Sequence, residues 1–392
     1  MEDNTPGKSS RSGRWEKQPG PEPYYCFIPA PLPPAPPIQY DARLQALTEK
    51  AAGALGRLDS ITTHLPNPRL LLYTYIRKEA VLSSQIEGTQ SSLSDLLLFE
   101  NKETPGVPTA DVREVSNYVA ALEHGVERLK ELPVSLRLIK EIHAILLRGG
   151  RGGDKEPGEF RRSQNWIGGS RPGNAKYVPA PWQEVLPALG ALEKFIHGEP
   201  ARTPTLIKAG LAHAQFESIH PFLDGNGRLG RLLIPLIMIA EGALSSPLLY
   251  LSLYFKARRA EYYEALQRVR LSGDWEGWLA FYLDGIAEVA GQASDTATKL
   301  IGMFQEHAAA IEGLGRSKGT ALKAHDLFKK RCVLSIPAVS KELGVSFPTA
   351  NKTLGKLRQL GFVKELTGKR RHRVFSYEPY LKILQEGMEE GR

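Results

Sequence analysis

Residues 218–231 read SIHPFLDGNGRLGR. This short stretch holds His220, Asp224, Asn226, Arg228 and Arg231, together with the glycines at 225, 227 and 230. An apolar helical run follows at once through Ala240, and Pro235 lies too deep in it to be its start, so the helix is predicted to open near Asn226. Backbone N–H groups at such a helix start, with glycines that allow close approach, make a cradle for an anion. Arg228 and Arg231 are three residues apart, which places them on one helical face, where guanidinium forks suit phosphate oxygens. Asp224, just before the cradle, is placed to hold Mg2+ against the same phosphates. His220 is a general-base candidate for an incoming hydroxyl.

Other readings of this stretch are weaker. Gly225-Asn226-Gly227-Arg228-Leu229-Gly230 fits a dinucleotide-type glycine pattern, but His-Pro-Phe and a helix precede it where that fold needs a buried strand. Glu217 and His220 have the spacing of a carboxylate metal helix, yet the pair has no second copy. His213, seven residues earlier, reads as a packed core histidine. A loop of solvated arginines is the remaining structural alternative.

Outward from the motif the periodicity is helical and the predicted fold class is mainly α. Helices are expected from Asp41, over 69–98 with a break at Gly88, over 111–129, 135–147, 182–196, 205–219, 258–270 and 275–312. The stretch 165–178, NWIGGSRPGNAKYV, reads as a small β-hairpin. Residues 24–38, YYCFIPAPLPPAPPI, read as an extended arm on the body or as an exposed polyproline linker, and residues 1–22 as a disordered tail.

The chain has 392 residues, 42% of them apolar, with a net charge of +8, and the excess is local. Residues 317–392 carry 16 Lys and Arg against 7 Asp and Glu, while residues 1–316 carry 35 against 36. That basic piece reads as helix, helix–turn–helix and hairpin, the sequence form of a winged helix. Lys352, Lys356 and Arg358 fall on or near its recognition helix and Lys369, Arg370, Arg371 and Arg373 on its wing, which makes duplex DNA a candidate partner. Dimerisation or target docking is the other use of such a unit. Two cysteines, Cys26 and Cys332, make no disulfide framework and point to a reducing, cytoplasmic setting. No apolar run reaches the ~20 residues of a membrane span.

HPFLDGNGRLGR resembles the signature of the Fic family, HxFx(D/E)GNGRxxR, at every defined position. The arm YYCFIPAPLPP, the stretch Pro157-Gly158-Glu159-Phe160-Arg161, the 165–179 hairpin and the winged helix are similar to further parts of that family, so the resemblance covers roughly residues 24–380. It implies a helical Fic core over 111–313 with a hairpin flap, an N-terminal region over 23–110, and a winged helix over 317–392. It also implies transfer of AMP from ATP, with Mg2+, to Tyr, Thr or Ser hydroxyls of proteins, the chain itself included. His220 would be the base and Asp224 the metal ligand. Gly225, Asn226, Gly227, Arg228, Leu229, Gly230 and Arg231 would hold the nucleotide, with Tyr263 beside it unless that residue is an ordinary core aromatic. Phosphorylation is less favoured, because the kinase-like branch of the family has Ala and Lys where this chain has Gly225 and Gly227.

Residues 83–88, SSQIEG, resemble the family's inhibitory motif (S/T)xxxE(G/N). The resemblance implies that Glu87, four residues after Ser83, pairs with Arg231 and spoils productive ATP binding; alone, Glu87 would read as a surface carboxylate. Some relatives are thought to use the same carboxylate to remove AMP. Ile167, Gly168 and Val178 are candidates for a flap edge that docks an extended target, against ordinary hairpin packing. A homodimer completes the expectation. The alternative from another class is a DNA-binding regulator whose Fic-like body only senses nucleotide; an intact His220 argues for the enzyme.

Overall fold

The structure is a computed structural model that describes residues 11–19, 22–63, 69–101, 108–368 and 373–388. Its core is a pair of helices, with Thr205–Ile219 and Asn226–Ala240 packed against each other. Residues 206–219 are buried on every side, as expected of a helix with no polar face. In chain order we number the strands Gly13–Gln18 (β1) and Tyr24–Pro29 (β2). The helices of the body are Ala42–Thr63 (α1), Arg69–Ile86 (α2), Leu93–Glu100 (α3), Thr109–Arg128 (α4), Leu136–Leu146 (α5), Trp182–Ile196 (α6), Thr205–Ile219 (α7), Asn226–Ala240 (α8), Ser252–Ala257 (α9), Arg259–Ser272 (α10) and Trp275–Glu312 (α11). Helices α2, α4 and α5 contact α8, and α6, α10 and α11 contact α7. The long α11 runs beside α1 and is continued by the C-terminal unit.

The expected helix over 69–98 is divided in two. Gly88 takes φ +96, which side-chain-bearing residues avoid, and Ser92 and Asp95 form a reciprocal capping box that opens α3. The break leaves Glu87 at the free end of α2. The tail expected to be disordered is also corrected in part: residues 13–18 are a strand, paired antiparallel with β2 from Gly13↔Pro29 to Gln18↔Tyr24. Trp15 explains the difference, since its ring lies 5.1 Å from that of Phe27 and 6.2 Å from that of Tyr177. Residues 1–10 of that tail lie outside the described residues. The arm β2 lies on the body, and Phe27 N donates to Val178 O at 2.9 Å. The flap hairpin is shorter than its sequence suggested. Ile167 and Tyr177 form one bridge, closed by a turn at Pro172–Asn174.

The C-terminal unit comprises Lys318–Lys330 (α12), Val333–Ser335 (β3), Ile336–Leu343 (α13), Phe347–Gln359 (α14), Val363–Glu365 (β4), Val374–Tyr377 (β5) and Glu378–Gln385 (α15), with strand order β3-β5-β4. Helices α13 and α14 follow one another across a short turn, and β4 and β5 then pair antiparallel. The unit packs on α11 and on α2, where Thr74 Oγ1 lies 3.3 Å from Tyr380 OH and Lys78 Nζ donates to Glu386 O. Lys369, Arg370 and Arg371 lie outside the described residues. Among the described residues no helix is long and apolar enough to cross a membrane.

The α7–α11 contact has no spare room. A Cβ at Gly210 would lie 2.8 Å from two ring carbons of Tyr282, and Gly210 O accepts the indole N–H of Trp278. Gly210→Ala is therefore expected to cost ~1–3 kcal/mol in urea unfolding. Gly190→Ala on α6, where a Cβ meets nothing within 4 Å, should be neutral or slightly stabilising. Equal midpoints for Gly210→Ala and wild type would contradict this packing.

Candidate active site

His220 ends α7 in the left-handed region, at φ +50 and ψ +60. Such a conformation is uncommon for a residue with a side chain, and the helical alternative is closed to it by the following Pro221. Its carbonyl is fixed by Arg161 Nε at 3.0 Å and Asn165 Nδ2 at 3.3 Å. The loop that follows is held from both sides. Asn226 receives Phe222 N on Oδ1 at 2.9 Å and donates to Phe222 O at 2.8 Å. His143 stacks on Phe222 with ring centroids 3.7 Å apart. Its Nδ1 accepts from Gly158 N, so Nε2 carries the proton and donates to Asp224 O at 2.9 Å.

Gly225 then caps α8 at φ +78 and frees the first amides of the helix toward the cleft. The cleft has a volume of ≈ 810 Å³, and its lining includes Glu87, Ile167, Glu217, His220, Arg231 and Tyr263. A larger groove of ≈ 900 Å³ opens between α1, α10 and α11, but it holds mixed charges such as the Lys50–Asp284 pair and no residue of the motif.

Within the cleft His220 is half-buried, its Nδ1 is sealed with no hydrogen-bond partner, and desolvation, aided by Arg270 and Arg161, lowers its pKa to about 3. The imidazole is therefore neutral at pH 7, with a lone pair to offer. Glu87 meets Arg231 as the family pattern implied: Arg231 Nη2 lies 2.7 Å from Glu87 Oε1. Arg231 Nε also donates to Ser83 Oγ at 2.8 Å, and Nη2 to Ser83 O at 3.0 Å. Burial opposes the charge on Glu87, but the Arg231 guanidinium outweighs it and holds the carboxyl below its ordinary value. The carboxylate lies over the first turn of α8, where a Cβ at Gly227 would come within 2.4 Å of Glu87 Oε1. Glu217 is a second buried carboxyl on the cleft; burial pushes it up to about 7 against the pull of Arg231.

Three expectations change. Arg228 and Arg231 do not form one phosphate fork. Arg228 is buried, with Nη1 2.7 Å from Glu114 Oε1 on α4 and Nη2 3.5 Å from Asp224 Oδ1. Asn226 points its amide into its own loop, so its side chain shapes the cradle and does not line the cleft. Val178 is 3% exposed and its carbonyl is taken by Phe27, so the arm covers that edge. Ile167 and Gly168 do line the cleft, although the Ile167 N–H and C=O are already paired with Tyr177 and Lys176. Tyr263 stands 42% exposed at the rim.

In the C-terminal unit Lys352 and Arg358 are exposed, and with Lys356 and Arg373 they line a shallow groove. Lys356 Nζ donates to Ser317 Oγ, and Arg373 lies 3.7 Å from Glu365.

Sequence reasoning missed Glu114, His143, Asn165 and Arg270, and it quoted Arg161 without a role. Glu114 did leave a signal, because it stands in line with Tyr118 and Leu122 on a buried stripe of α4. A charge on such a stripe needs a partner.

The residues fit a nucleotide and a divalent cation. The close approach at Gly227 and the glycine-capped start of α8 suit a phosphate chain, and the unpartnered imidazole of His220 beside them suits an incoming hydroxyl. Asp224 is a single, partly exposed carboxylate beside it, which matches Mg2+ held by one carboxylate and substrate phosphates. Among the described residues no group of three or more His, Cys, Asp or Glu is gathered for a metal.

Comparison with known proteins agrees with this geometry. Residues 45–127 match the Fic/DOC family N-terminal region and residues 133–238 match the Fic/DOC family. The chain is 31% identical over 203 residues to the protein adenylyltransferase Fic of Drosophila melanogaster, covering 51% of this chain and 38% of that protein. The counterpart from Drosophila grimshawi is 31% identical over 157 residues, 40% of this chain and 29% of that one. The chain thus spans less than two fifths of the length of these curated relatives. A solved Fic family protein from Desulfovibrio desulfuricans shares the fold, with a TM-score of 0.57 at 19% identity over 87% of this chain and 97% of its own.

The depressed pKa gives a direct test. In histidine-labelled protein, the ring signal lost in His220→Ala should not move between pH 5 and 8, because the folded ring stays neutral above about pH 3. A titration midpoint near the ordinary ~6.5 would contradict it.

Proposed function

We propose that this chain, which matches the Fic/DOC family N-terminal and Fic/DOC family over residues 45–127 and 133–238, is a self-inhibited protein adenylyltransferase acting on Tyr, Thr or Ser hydroxyls. The observation that carries the reading is His220: a half-buried, neutral imidazole whose Nδ1 is sealed and unpartnered, set in a cleft at the N-terminus of α8.

His220 takes the proton from the target hydroxyl as that oxygen attacks the α-phosphorus of ATP. The new O–P bond forms as the bond from the α-phosphorus to the bridging oxygen breaks, and pyrophosphate leaves with that electron pair. The first amides of α8 offer donors to the phosphate oxygens, and Arg231 offers its guanidinium to the outer phosphate. Mg2+ at Asp224, when bound, neutralises charge on the departing pyrophosphate. Such a site works by positioning and charge neutralisation.

Glu87 opposes this. Its carboxylate occupies the Arg231 guanidinium and lies over the first turn of α8, so a triphosphate must displace it or bind out of register. Glu87 lines the same cleft as His220, which supports removal of AMP from a modified hydroxyl as a further reaction open to the same site. The extended arm of a target would lie along the Ile167–Gly168 side of the flap.

The C-terminal unit favours duplex DNA as a further partner, on the observation that Lys352 and Arg358 stand exposed along α14 beside Lys356 and Arg373. A regulator that only senses nucleotide needs no base in the cleft, and His220 separates the two classes.

With labelled ATP, His220→Ala should lose ~10²–10⁴-fold in AMP transfer while ATP binding persists. Near-normal transfer would remove the assignment. Lys352→Ala with Arg358→Ala should weaken duplex binding and lower the slope of log affinity against log salt by about 2. An unchanged slope would take DNA off α14.

A further inference from the structure

We propose that Glu114 is a positioning residue of this site: it holds Arg228 away from Asp224 and so keeps the Asp224 carboxylate available to a divalent cation. The inference rests on the adenylyltransferase reading and adds a residue that neither the motif nor the comparisons single out.

Arg228 sits between two carboxylates. Its Nη1 is 2.7 Å from Glu114 Oε1, and its Nη2 is 3.5 Å from Asp224 Oδ1. The first contact is sealed, with both side chains at most 3% exposed, whereas Asp224 is 36% exposed at the cradle. A buried guanidinium needs a counter-charge, and the shorter, drier contact supplies most of it, although only Nη2, toward Asp224, has hydrogen-bond geometry. Neither Arg228 nor Asp224 lines the cleft where Arg231 stands, so the two form a layer beside it.

The remaining partners of Asp224 agree. Its Oδ1 accepts Gly225 N at 2.5 Å, and its carbonyl is held by His143. These contacts fix the loop, and Oδ2 lies against Gly152, where a Cβ would come within 2.5 Å of it. A third cation bears on Glu114. Arg151 Nη2 lies 3.2 Å from Glu114 Oε1 and 3.2 Å from the Glu87 carbonyl, and its side chain is half exposed. Arg151 therefore competes with Arg228 for Glu114. Without the Glu114 charge, Asp224 is the carboxylate left beside Arg228. The guanidinium then closes on it and takes the oxygens that a cation needs.

The test is the factor by which Mg2+ tightens binding of a non-hydrolysable ATP analogue, measured by calorimetry with and without the metal, so no turnover is required. Groups behind a metal ligand typically change metal affinity ~10–100-fold, and Glu114→Gln is expected to lower the Mg2+ factor by about tenfold. Metal-free binding should stay within about twofold, and Glu114→Asp, which keeps the charge, should recover part of the factor. Arg151→Ala, a surface change that frees Glu114 for Arg228, should leave the factor at or above wild type. An unchanged Mg2+ factor in folded Glu114→Gln, or a lowered one in Arg151→Ala, overturns the inference alone. A wild-type chain that binds no nucleotide at all overturns the adenylyltransferase reading on which it stands.

Discussion

A guanidinium buried at the first turns of α8 is the constraint on which the site turns. Arg231 is 3% exposed, and a charge in that position must be satisfied by something. In this structure the partners come from α2: the Ser83 hydroxyl, the Ser83 carbonyl and the Glu87 carboxylate. A phosphate can take the place of the carboxylate and keep the charge balanced. On the proposed reading, the choice between a resting and a working site is a choice between two anions on one cation. Ser83 anchors the guanidinium in either case, so release of Glu87 need not disturb α8.

The fold serves that contact. Helix α2 ends one residue before Glu87, and the turn at Gly88 lets the carboxylate project over α8 without continuing the helix. The other end of α2 is tied to the C-terminal unit through Thr74 and Lys78, and its middle through Glu79 to Tyr118 and Ser252. Glu79 shows how tight this packing is, since burial pushes its carboxyl up to about 7 despite those hydrogen bonds. Opposite, α7 delivers His220 in a left-handed turn that Arg161, Asn165 and Pro221 hold together. His220 and Glu87 come from segments far apart in the chain and share one cleft because both α2 and α7 pack on α8.

Much of this was legible in the residues. The helical periodicity located the principal helices, because α4 and α5 carry clear apolar stripes and α7 and α8 are rich in apolar residues, with the polar side chains of α7 and α8 buried as well. SIHPFLDGNGRLGR placed the base, the cradle and Arg231, since glycine spacing and a helix start are local properties. What escaped were the partners. Glu114, His143 and Arg161 act through contacts dozens of residues away, and no local pattern reports which buried charge meets which. The same limit explains Arg228 and Asn226: the motif names the residue, but only packing decides whether its side chain faces the cleft or the loop behind it. The strand at 13–18 was hidden because its polar sequence is ordered by Trp15 against Phe27 and Tyr177. The helix break at Gly88 was visible as a glycine, while the capping box that makes it a true boundary was not weighed.

The central claim is that Glu87, by holding Arg231, sets the rate of AMP transfer. The most direct measurement is the initial rate of AMP incorporation for wild type, Glu87→Gly, and Glu87→Gly combined with Arg231→Ala, at equal ATP and Mg2+. Misplacement of a reacting group by ~1 Å can cost ~10²-fold, so Glu87→Gly is expected to be faster by about that order, and the double variant to fall back below it. A Glu87→Gly rate equal to wild type would contradict the account.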